Sequence, residues 1–456
     1  MTEHRSEITA QLAAFISNAS MESLPTSVTT RLKLHILDTL GCALAFADLP
    51  WSRNVWDYVR SRGAGGSASV LFYGVRMQPE TAALANASFA HGFELDDTEM
   101  RTASHPGVVV VPAALSMAEH LGATGAQLLA AVAVGYETMI RVGVGGVGMT
   151  ARGFQSTAMA GSFGAAAAAA SLMRLDSDKT AHALGICASR AAGIAEYTIS
   201  GGSVKRLHAG FAAQAGVEAA GLASAGATAP RQALEGRRGL YRAITDTPDP
   251  NAVTAGLGSD FLLLGTGFKP HSCCAAQHSV LDAVSDLQSE HAFTALDVSN
   301  VHVRQNPREF DSVGQIRRPA DVISSQFSGA FGIALRLVKG GNGPRDYLDA
   351  VLDDEDLLNV VDKVTYERTT PQSALEGDAP SEVRVKLTDG HVFETYVSHA
   401  RGTAQRPLLE DEVLAKFRDL AAPSLGRGRA EHVIALVQDL EHVTEIEELS
   451  TALKIA

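Results

Sequence analysis

The chain has 456 residues, of which 46 % are apolar, 20 % are charged and only 6 % are aromatic. This length predicts two or three domains with a large buried core, and the low aromatic content favours packed helices over an aromatic-rich β-sandwich. The net charge of −13, without any block of Lys or Arg, argues against a nucleic-acid-binding protein and against an anionic membrane surface as partner.

Helical periodicity dominates the first 265 residues, which we therefore expect to be all-helical. Small residues recur there at spacings of three and four, so neighbouring helices can approach closely. The uncharged stretch 153–173 consists mainly of Ala, Gly, Ser and Thr, which favours a buried helix over a membrane span. The predicted helices cover residues 7–20, 27–47, 80–92, 112–121, 126–142, 160–173, 178–195 and 208–226.

The pattern changes after Gly265. Residues 298–305 alternate as a strand does, and residues 382–397 alternate on both sides of Asp389-Gly390, a strong hairpin signal. Helical stretches are predicted before, between and after these strands, at 277–288, 321–338, 344–352 and 407–455. We expect a mainly α protein, in which residues 1–265 and 401–456 form a helical domain and residues 266–400 form an inserted α+β domain.

The sequence gives no reason to expect a metal or an organic cofactor. Residues 143–148 match G-x-G-x-x-G, but no strand precedes them and the next acid comes 28 residues later, which argues against a dinucleotide site. Cys273, Cys274 and His278 lack a second ligand pair at zinc spacing. The four cysteines form no disulfide framework and no signal peptide is visible, so we expect a cytoplasmic protein.

Three clusters of titratable residues interrupt the apolar helices. Residues 91–106 contain Glu94, Asp96, Asp97 and His105, although Asp97 and Thr98 could merely cap a helix. Residues 202–210 place Lys205, Arg206 and His208 at a helix start, where cations oppose the helix dipole unless an anion binds, although a solvated turn is equally compatible. Residues 268–278 hold Lys269, two His and two Cys at the domain junction, where a buried linker would look the same.

Together these clusters predict a pocket for a small polyanion, and a carboxylate substrate fits best. Cations that neutralise a carboxylate make the neighbouring C–H bond more acidic. A Lys or His with a lowered pKa could then act as acid or base.

The chain resembles the MmgE/PrpD family over nearly its whole length. The resemblance rests on motifs that occur in the family's order, which are Leu37-Asp38-Thr39-Leu40-Gly41, His91…Asp96-Asp97-Thr98…His105-Pro106, Gly135-Tyr136-Glu137…Arg141, Gly153-Phe154…Thr157…Gly161, Lys205-Arg206-Leu207-His208-Ala209-Gly210, Lys269-Pro270…Cys273-Cys274…His278, Gln326-Phe327-Ser328 and Asp389-Gly390.

The resemblance implies a large helical domain and a smaller α+β lid domain with the site between them, in what is usually a homodimer. Family members include 2-methylcitrate dehydratases, cis-aconitate decarboxylases and iminodisuccinate epimerase. They act on small di- or tricarboxylates without a universal metal or organic cofactor. Proton transfer next to a carboxylate is their shared step.

The resemblance also implies individual site residues. As catalytic residues we expect Lys205, Lys269, His105 and Asp97, with Tyr136 or Tyr73 as weaker alternatives for a second proton-exchanging group. As substrate-binding residues we expect Glu94, Thr98, Gln155, Arg206, His208 and Cys274.

Three positions depart from the decarboxylases of the family. Gln155 and Cys274 stand where these enzymes carry His, and Phe331 stands where they carry Tyr. The missing proton donors lead us to expect epimerisation of an iminodisuccinate-type dicarboxylate. A decarboxylase or dehydratase of the same family is the alternative, and a polycarboxylate-binding homologue without turnover is a second one.

Overall fold

The fold was taken from a computed structural model, which describes residues 7–455. Helices account for most of it. Before the domain junction they are Ile8–Asn18, Thr26–Phe46, Pro50–Ser61, Pro79–Ala90, Gly107–Leu121, Gly125–Gly145, Ser156–Leu172, Ser177–Ala188, Tyr197–Ser200, Val204–Ser224, Leu240–Ile244 and Pro250–Thr254. After it they are His278–His291, Pro307–Val313, Val322–Ser325, Gly329–Lys339, Pro344–Leu348, Glu355–Val361, Glu410–Leu425, Arg427–Gln438 and Glu447–Ala452.

The mainly α fold class is confirmed, with two differences in detail. The expectation of an all-helical first part is wrong in one place, because Ala68–Ser69 and Arg76–Met77 pair as a short antiparallel ladder. The single helix expected over 321–338 is two helices, Val322–Ser325 and Gly329–Lys339, because Ser328 caps the second one through a hydrogen bond from the Phe331 amide.

Glycines allow the central helices to pack closely. A Cβ atom at Gly135 would lie 2.4 Å from Cγ1 of Val110, and one at Gly164 would lie 2.8 Å from the Gly135 carbonyl oxygen. Helix Gly125–Gly145 is long and apolar enough to cross a membrane, but 94 % of its most apolar window is buried inside the molecule. One such helix is weak evidence for a span, and here it is a core helix, as is Ser156–Leu172.

The four-stranded sheet has the order 364–368, 298–305, 381–387, 392–397. Val298–Gln305 pairs in parallel with Val364–Arg368 and antiparallel with Ser381–Leu387. The hairpin predicted at Asp389-Gly390 is confirmed, because Ser381–Leu387 and Val392–Val397 pair antiparallel around it and Gly390 has a φ of 97°.

The buried apolar residues form two clusters. One unites the helices up to Phe268 with residues 408–453, and helix Glu410–Leu425 packs against Thr26–Phe46. The other lies mainly between the sheet and the helices of residues 273–397, and it also includes Cys42, Phe46, Phe93, Leu95 and Leu420. The exact boundaries at 265/266 and 400/401 stay a prediction. What matters for function is that residues 91–106 and 267–278 meet between the two clusters.

Candidate active site

A cavity of about 840 Å³ opens where these segments meet. Seven of the ten expected site residues line it, and they come from stretches far apart in the chain. They are Glu94, Thr98, His105, Gln155, Lys205, Lys269 and Cys274. The three clusters of titratable residues seen in the sequence therefore share one cavity.

Glu94 joins the two lysines of the cavity wall. Its Oε2 atom lies 3.2 Å from Nζ of Lys269, and its Oε1 atom accepts a hydrogen bond from Nζ of Lys205. All three side chains are almost completely buried. Burial by itself would raise the pKa of Glu94, but Lys205, Lys269 and Arg206 outweigh it and hold that pKa well below the usual range. Glu94 is therefore a carboxylate.

The two lysines differ in their electrostatic environment. Burial lowers the pKa of Lys205, and neither Glu94 nor the other nearby acids fully offset this effect. Burial also disfavours charge on Lys269, but there the carboxylates of Glu94 and Asp96 prevail and raise the pKa. Lys269 is a permanent cation, whereas Lys205 gives up a proton more readily.

His105 reaches the cavity from the loop before helix Gly107–Leu121. Its Nδ1 atom lies 2.9 Å from Oδ2 of Asp96 and 2.8 Å from the carbonyl oxygen of Asp97. Both neighbours are acceptors, so Nδ1 carries a proton and donates it. Nε2 is then the nitrogen left for a bound substrate.

Asp97 lies behind the cavity rather than in its wall. Its carboxylate accepts hydrogen bonds from the Gly107 amide at 3.0 Å and from the Tyr136 hydroxyl at 2.7 Å, and His35 Nδ1 lies 3.0 Å away. A carboxylate at a helix N-terminus is favourable because it faces the free amides and the positive end of the dipole. The carboxylate of Asp97 thus fixes the loop that carries His105 without lining the cavity, and a catalytic role for Asp97 stays a prediction.

Arg206 and His208 also lie outside the cavity lining. Arg206 donates to the Gln326 side chain at 3.3 Å and its guanidinium lies over the ring of Trp51. His208 packs edge-on against Tyr197. This placement does not support their expected direct contacts with substrate, because neither side chain lines the cavity.

The weaker alternatives for a second proton-exchanging group also lie away from the cavity. Tyr136 is completely buried against Asp97, and burial raises its pKa well above the usual range. Tyr73 stacks on Trp56 at a ring distance of 4.0 Å. Neither residue lines the cavity.

The positions that depart from the family pattern take different places. Gln155 caps helix Ser156–Leu172 by accepting from the Ala158 amide at 2.6 Å. Burial raises the pKa of the Cys274 thiol, so this cavity residue stays neutral at pH 7. Phe331 is fully buried in the core and does not line the cavity.

Several lining residues were missed by sequence reasoning. Tyr197 lies in the segment just before the Lys205 motif. Its closeness to that motif in the sequence could have indicated Tyr197 as a site residue. Arg308 comes from helix Pro307–Val313, where no motif marks it. The others are Met100, Ala103, Thr150, Phe154, Ser156, Ala195, Thr198, Ala275, Ala276, Glu309, Asp311, Ser312, Gln315, Ile316 and Phe327.

Comparisons with known proteins identify the family. The model of the MmgE/PrpD N-terminal domain matches residues 10–253, and that of the MmgE/PrpD C-terminal domain matches residues 271–442. The chain belongs to the MmgE/PrpD family. Together the two matches span most of the chain and include every expected site residue except Lys269, which falls between them.

The similar proteins of this family are cis-aconitate decarboxylases. The chain is 28 % identical to the cis-aconitate decarboxylase of Aspergillus terreus over 472 residues, covering 98 % of this chain and 95 % of that protein. It is 28 % identical to the cis-aconitate decarboxylase-like protein oryM of Aspergillus oryzae, covering 97 % and 96 %. Identity to the human cis-aconitate decarboxylase is 26 %, covering 98 % and 94 %. These relatives are lyases, and none of them supports the expected epimerase.

Proposed function

We propose that this protein is a lyase that decarboxylates a small unsaturated tricarboxylate of the cis-aconitate type, without a metal or organic cofactor. The observation that carries the proposal is the convergence of Lys205, Lys269 and His105 on one cavity. The full-length similarity to cis-aconitate decarboxylases supports the same reaction.

The chemistry of the substrate defines what the site must do. In cis-aconitate a CH₂–COO⁻ group is attached to a C=C bond that bears the other two carboxylates. When the CH₂–COO⁻ bond breaks, CO₂ leaves and its electron pair forms a new C=CH₂ bond. The electron pair of the old double bond moves to the CH carbon, which takes up one proton. The product is an unsaturated dicarboxylate.

In our proposal the lysines bind the carboxylates and His105 supplies the proton. Negative charge grows on the carboxylate next to the CH carbon as the bond breaks, and buried cations such as Lys269 stabilise that charge. In its imidazolium form His105 carries hydrogen on both ring nitrogens. Its Nδ1–H stays bonded to Asp96 while Nε2–H gives its proton to the CH carbon, and solvent then returns a proton to Nε2. Lys205 is the alternative donor because burial lowers its pKa.

The missing His at positions 155 and 274 does not remove every proton donor. His105 remains, with Nδ1 bonded to acceptors and Nε2 available. One proton donor is sufficient for decarboxylation, so the residues present are compatible with the lyase reaction that the similar proteins indicate.

The test is incubation of the purified protein with cis-aconitate in deuterated water, followed by proton NMR and CO₂ release. We expect CO₂ and a product with one deuterium at the former CH carbon. Lys205→Ala should abolish turnover, whereas Lys339→Ala, at an exposed ion pair with Asp354, should leave it unchanged. Saturable binding of cis-aconitate without CO₂ release would instead indicate the binding homologue. In a parallel incubation with iminodisuccinate, deuterium entry at the α carbon with inverted configuration would indicate an epimerase.

The cytoplasmic location and the homodimer remain proposals. The four cysteines are all unpaired, which is compatible with a reducing compartment. Phe211 and Leu222 expose apolar side chains on helix Val204–Ser224, a surface that a second subunit could cover. Sedimentation velocity of the full chain would measure the subunit number directly.

A further inference from the structure

Two histidines share one carboxylate oxygen beside the cavity. Oδ2 of Asp96 lies 3.1 Å from Nδ1 of His91 and 2.9 Å from Nδ1 of His105. The two imidazole rings are 4.9 Å apart. His91 is completely buried and does not line the cavity, so it has no contact with substrate in the function proposed above.

The same three residues have the composition of a metal site, since their ligand atoms lie within 4.8 Å of one another. Hydrogen bonding from the two histidines to Asp96 accounts for this arrangement better than a metal ion does. Both Nδ1 atoms lie at N–H···O distance from a single oxygen, and a neutral imidazole that donates there carries its proton on Nδ1. A protonated nitrogen has no lone pair for an ion.

The charge state of His91 agrees with this arrangement. Burial lowers its pKa to about 4, although Asp96 acts in the opposite direction, so the ring is neutral at pH 7. Asp96 remains a carboxylate, because His91 and His105 overcome the effect of burial and hold its pKa well below the usual range. Other charged groups act on these residues as well, and they are Lys205, Arg206, Lys269, Glu94 and Asp38.

His91 matters for Asp96 because the carboxylate has few other contacts. Oδ1 of Asp96 and Nε2 of His91 have no hydrogen-bond partner within residues 7–455. The two histidines alone therefore determine how the carboxylate is turned. His91 itself is fixed by its position directly after helix Pro79–Ala90, where its amide bonds the Ala87 carbonyl oxygen.

We propose that His91 is a positioning residue that acts through Asp96 on His105. By donating to Oδ2 it keeps this oxygen directed at Nδ1 of His105, which fixes the His105 tautomer that leaves Nε2 for the substrate. The inference rests on the proposed function, in which His105 is the proton donor. A comparable carboxylate–histidine contact sets ring orientation and tautomer in catalytic triads.

A pair of variants separates the hydrogen bond from the packing of His91. In His91→Asn the side-chain amide places an N–H donor close to the position of Nδ1, whereas His91→Leu fills the site without a donor. We expect His91→Asn to keep kcat on cis-aconitate within about threefold and to keep the shape of the pH–rate profile. In His91→Leu, kcat should fall by at least about tenfold with little change in KM. The pH–rate profile of this variant should also be displaced along the pH axis.

Nitrogen-15 NMR of the imidazoles tests the inference without turnover. In the unsubstituted protein at pH 7, His91 and His105 should both carry hydrogen on Nδ1. His105 should keep this tautomer in His91→Asn and lose it in His91→Leu. Since the spectrum of the unsubstituted protein already decides the His91 tautomer, the test does not depend on the folding of the variants.

The outcomes distinguish the two proposals. An Nε2–H tautomer of His91, or a His105 tautomer and pH profile that are unchanged in His91→Leu, would overturn the positioning role. Equal losses in both His91 variants would make the residue merely structural. Absence of CO₂ release by the unsubstituted protein would overturn the decarboxylase alone, since the NMR result on His91 stands without it.

Discussion

Glu94 and Lys269 are joined by a 3.2 Å hydrogen bond inside the cavity wall. Glu94 holds this position with a φ of 52°, in the left-handed region that a non-glycine residue enters at a cost of about 1–3 kcal/mol. In this conformation the Glu94 side chain contacts both Lys269 and Lys205. One protein carboxylate thereby keeps two buried ammonium groups together at the place where we expect a substrate carboxylate.

Replacing Glu94 with Gln should destabilise the protein without ligand, and the stability of this variant should then depend on an added anion. Without the carboxylate, Lys205 and Lys269 lose their common counter-charge, and breaking a buried ion pair in this way costs about 3–5 kcal/mol. Thermal unfolding with and without tricarballylate, a saturated tricarboxylate, measures both effects. The anion should raise the Tm of Glu94→Gln more than that of the unsubstituted protein.

Glu309→Gln is the matched control for this experiment. Glu309 lines the same cavity, but its nearest cation is Arg308 at 3.6 Å. Tricarballylate should stabilise this variant to the same extent as the unsubstituted protein. An equal response of the Glu94 and Glu309 variants would contradict a role for Glu94 at the anion site.

His105→Gln should lower kcat on cis-aconitate by about 10²–10⁴ and change KM little. A positioned acid contributes this much to a proton-transfer step, while the lysines that bind the carboxylates remain. Initial rates over a range of substrate concentrations separate the two parameters. His302→Gln, on the partly exposed side of strand Val298–Gln305, should behave as the unsubstituted enzyme. A large increase in KM with unchanged kcat would place His105 in binding rather than in proton transfer.

Tyr136→Phe should lower the stability of the protein by removing a hydrogen bond to Asp97, which holds the loop that carries His105. The Tyr136 hydroxyl donates to the Asp97 carboxylate in a fully buried site, and a hydrogen bond to a charged group contributes about 1.5–3 kcal/mol. Urea unfolding should show a loss of this size. A double-mutant cycle with Asp97→Asn tests this bond. The sum of the two single-variant losses in unfolding free energy should exceed the loss in the double variant, because each single substitution already removes the same hydrogen bond. Strict additivity would show that the two side chains do not interact.

The free energy of unfolding should fall as the pH decreases from about 6.5 to about 4, with His91 as one cause. Burial lowers the pKa of His91 to about 4, so in this range the unfolded chain binds a proton that the folded protein does not. Stability then rises with pH, and the stabilisation, up to about 3 kcal/mol, is complete above pH 6.5. Urea unfolding at several pH values measures the slope, and His91→Asn should reduce it. An identical slope in that variant would show that His91 is protonated in the folded protein.

Sequence reasoning located the segments of the site better than the roles within it. The titratable stretches at 91–106, 202–210 and 268–278 are conspicuous because they interrupt apolar helices. Within such a stretch, neighbouring residues can face opposite ways. Lys205 lines the cavity while Arg206 turns to Gln326 and Trp51, and the pattern of residue types does not distinguish the two.

The sequence by itself determined the mainly α class, most helices, the Asp389-Gly390 hairpin and the three segments that form the site. These features are local, since periodicity, turn residues and charge density act over a few positions. Only the tertiary structure decided that Glu94 joins Lys205 to Lys269, that Asp97 lies behind His105, and that Arg308 reaches the same cavity. Each of these depends on the packing of segments that are far apart in the chain, which sets the direction of every side chain at their junction.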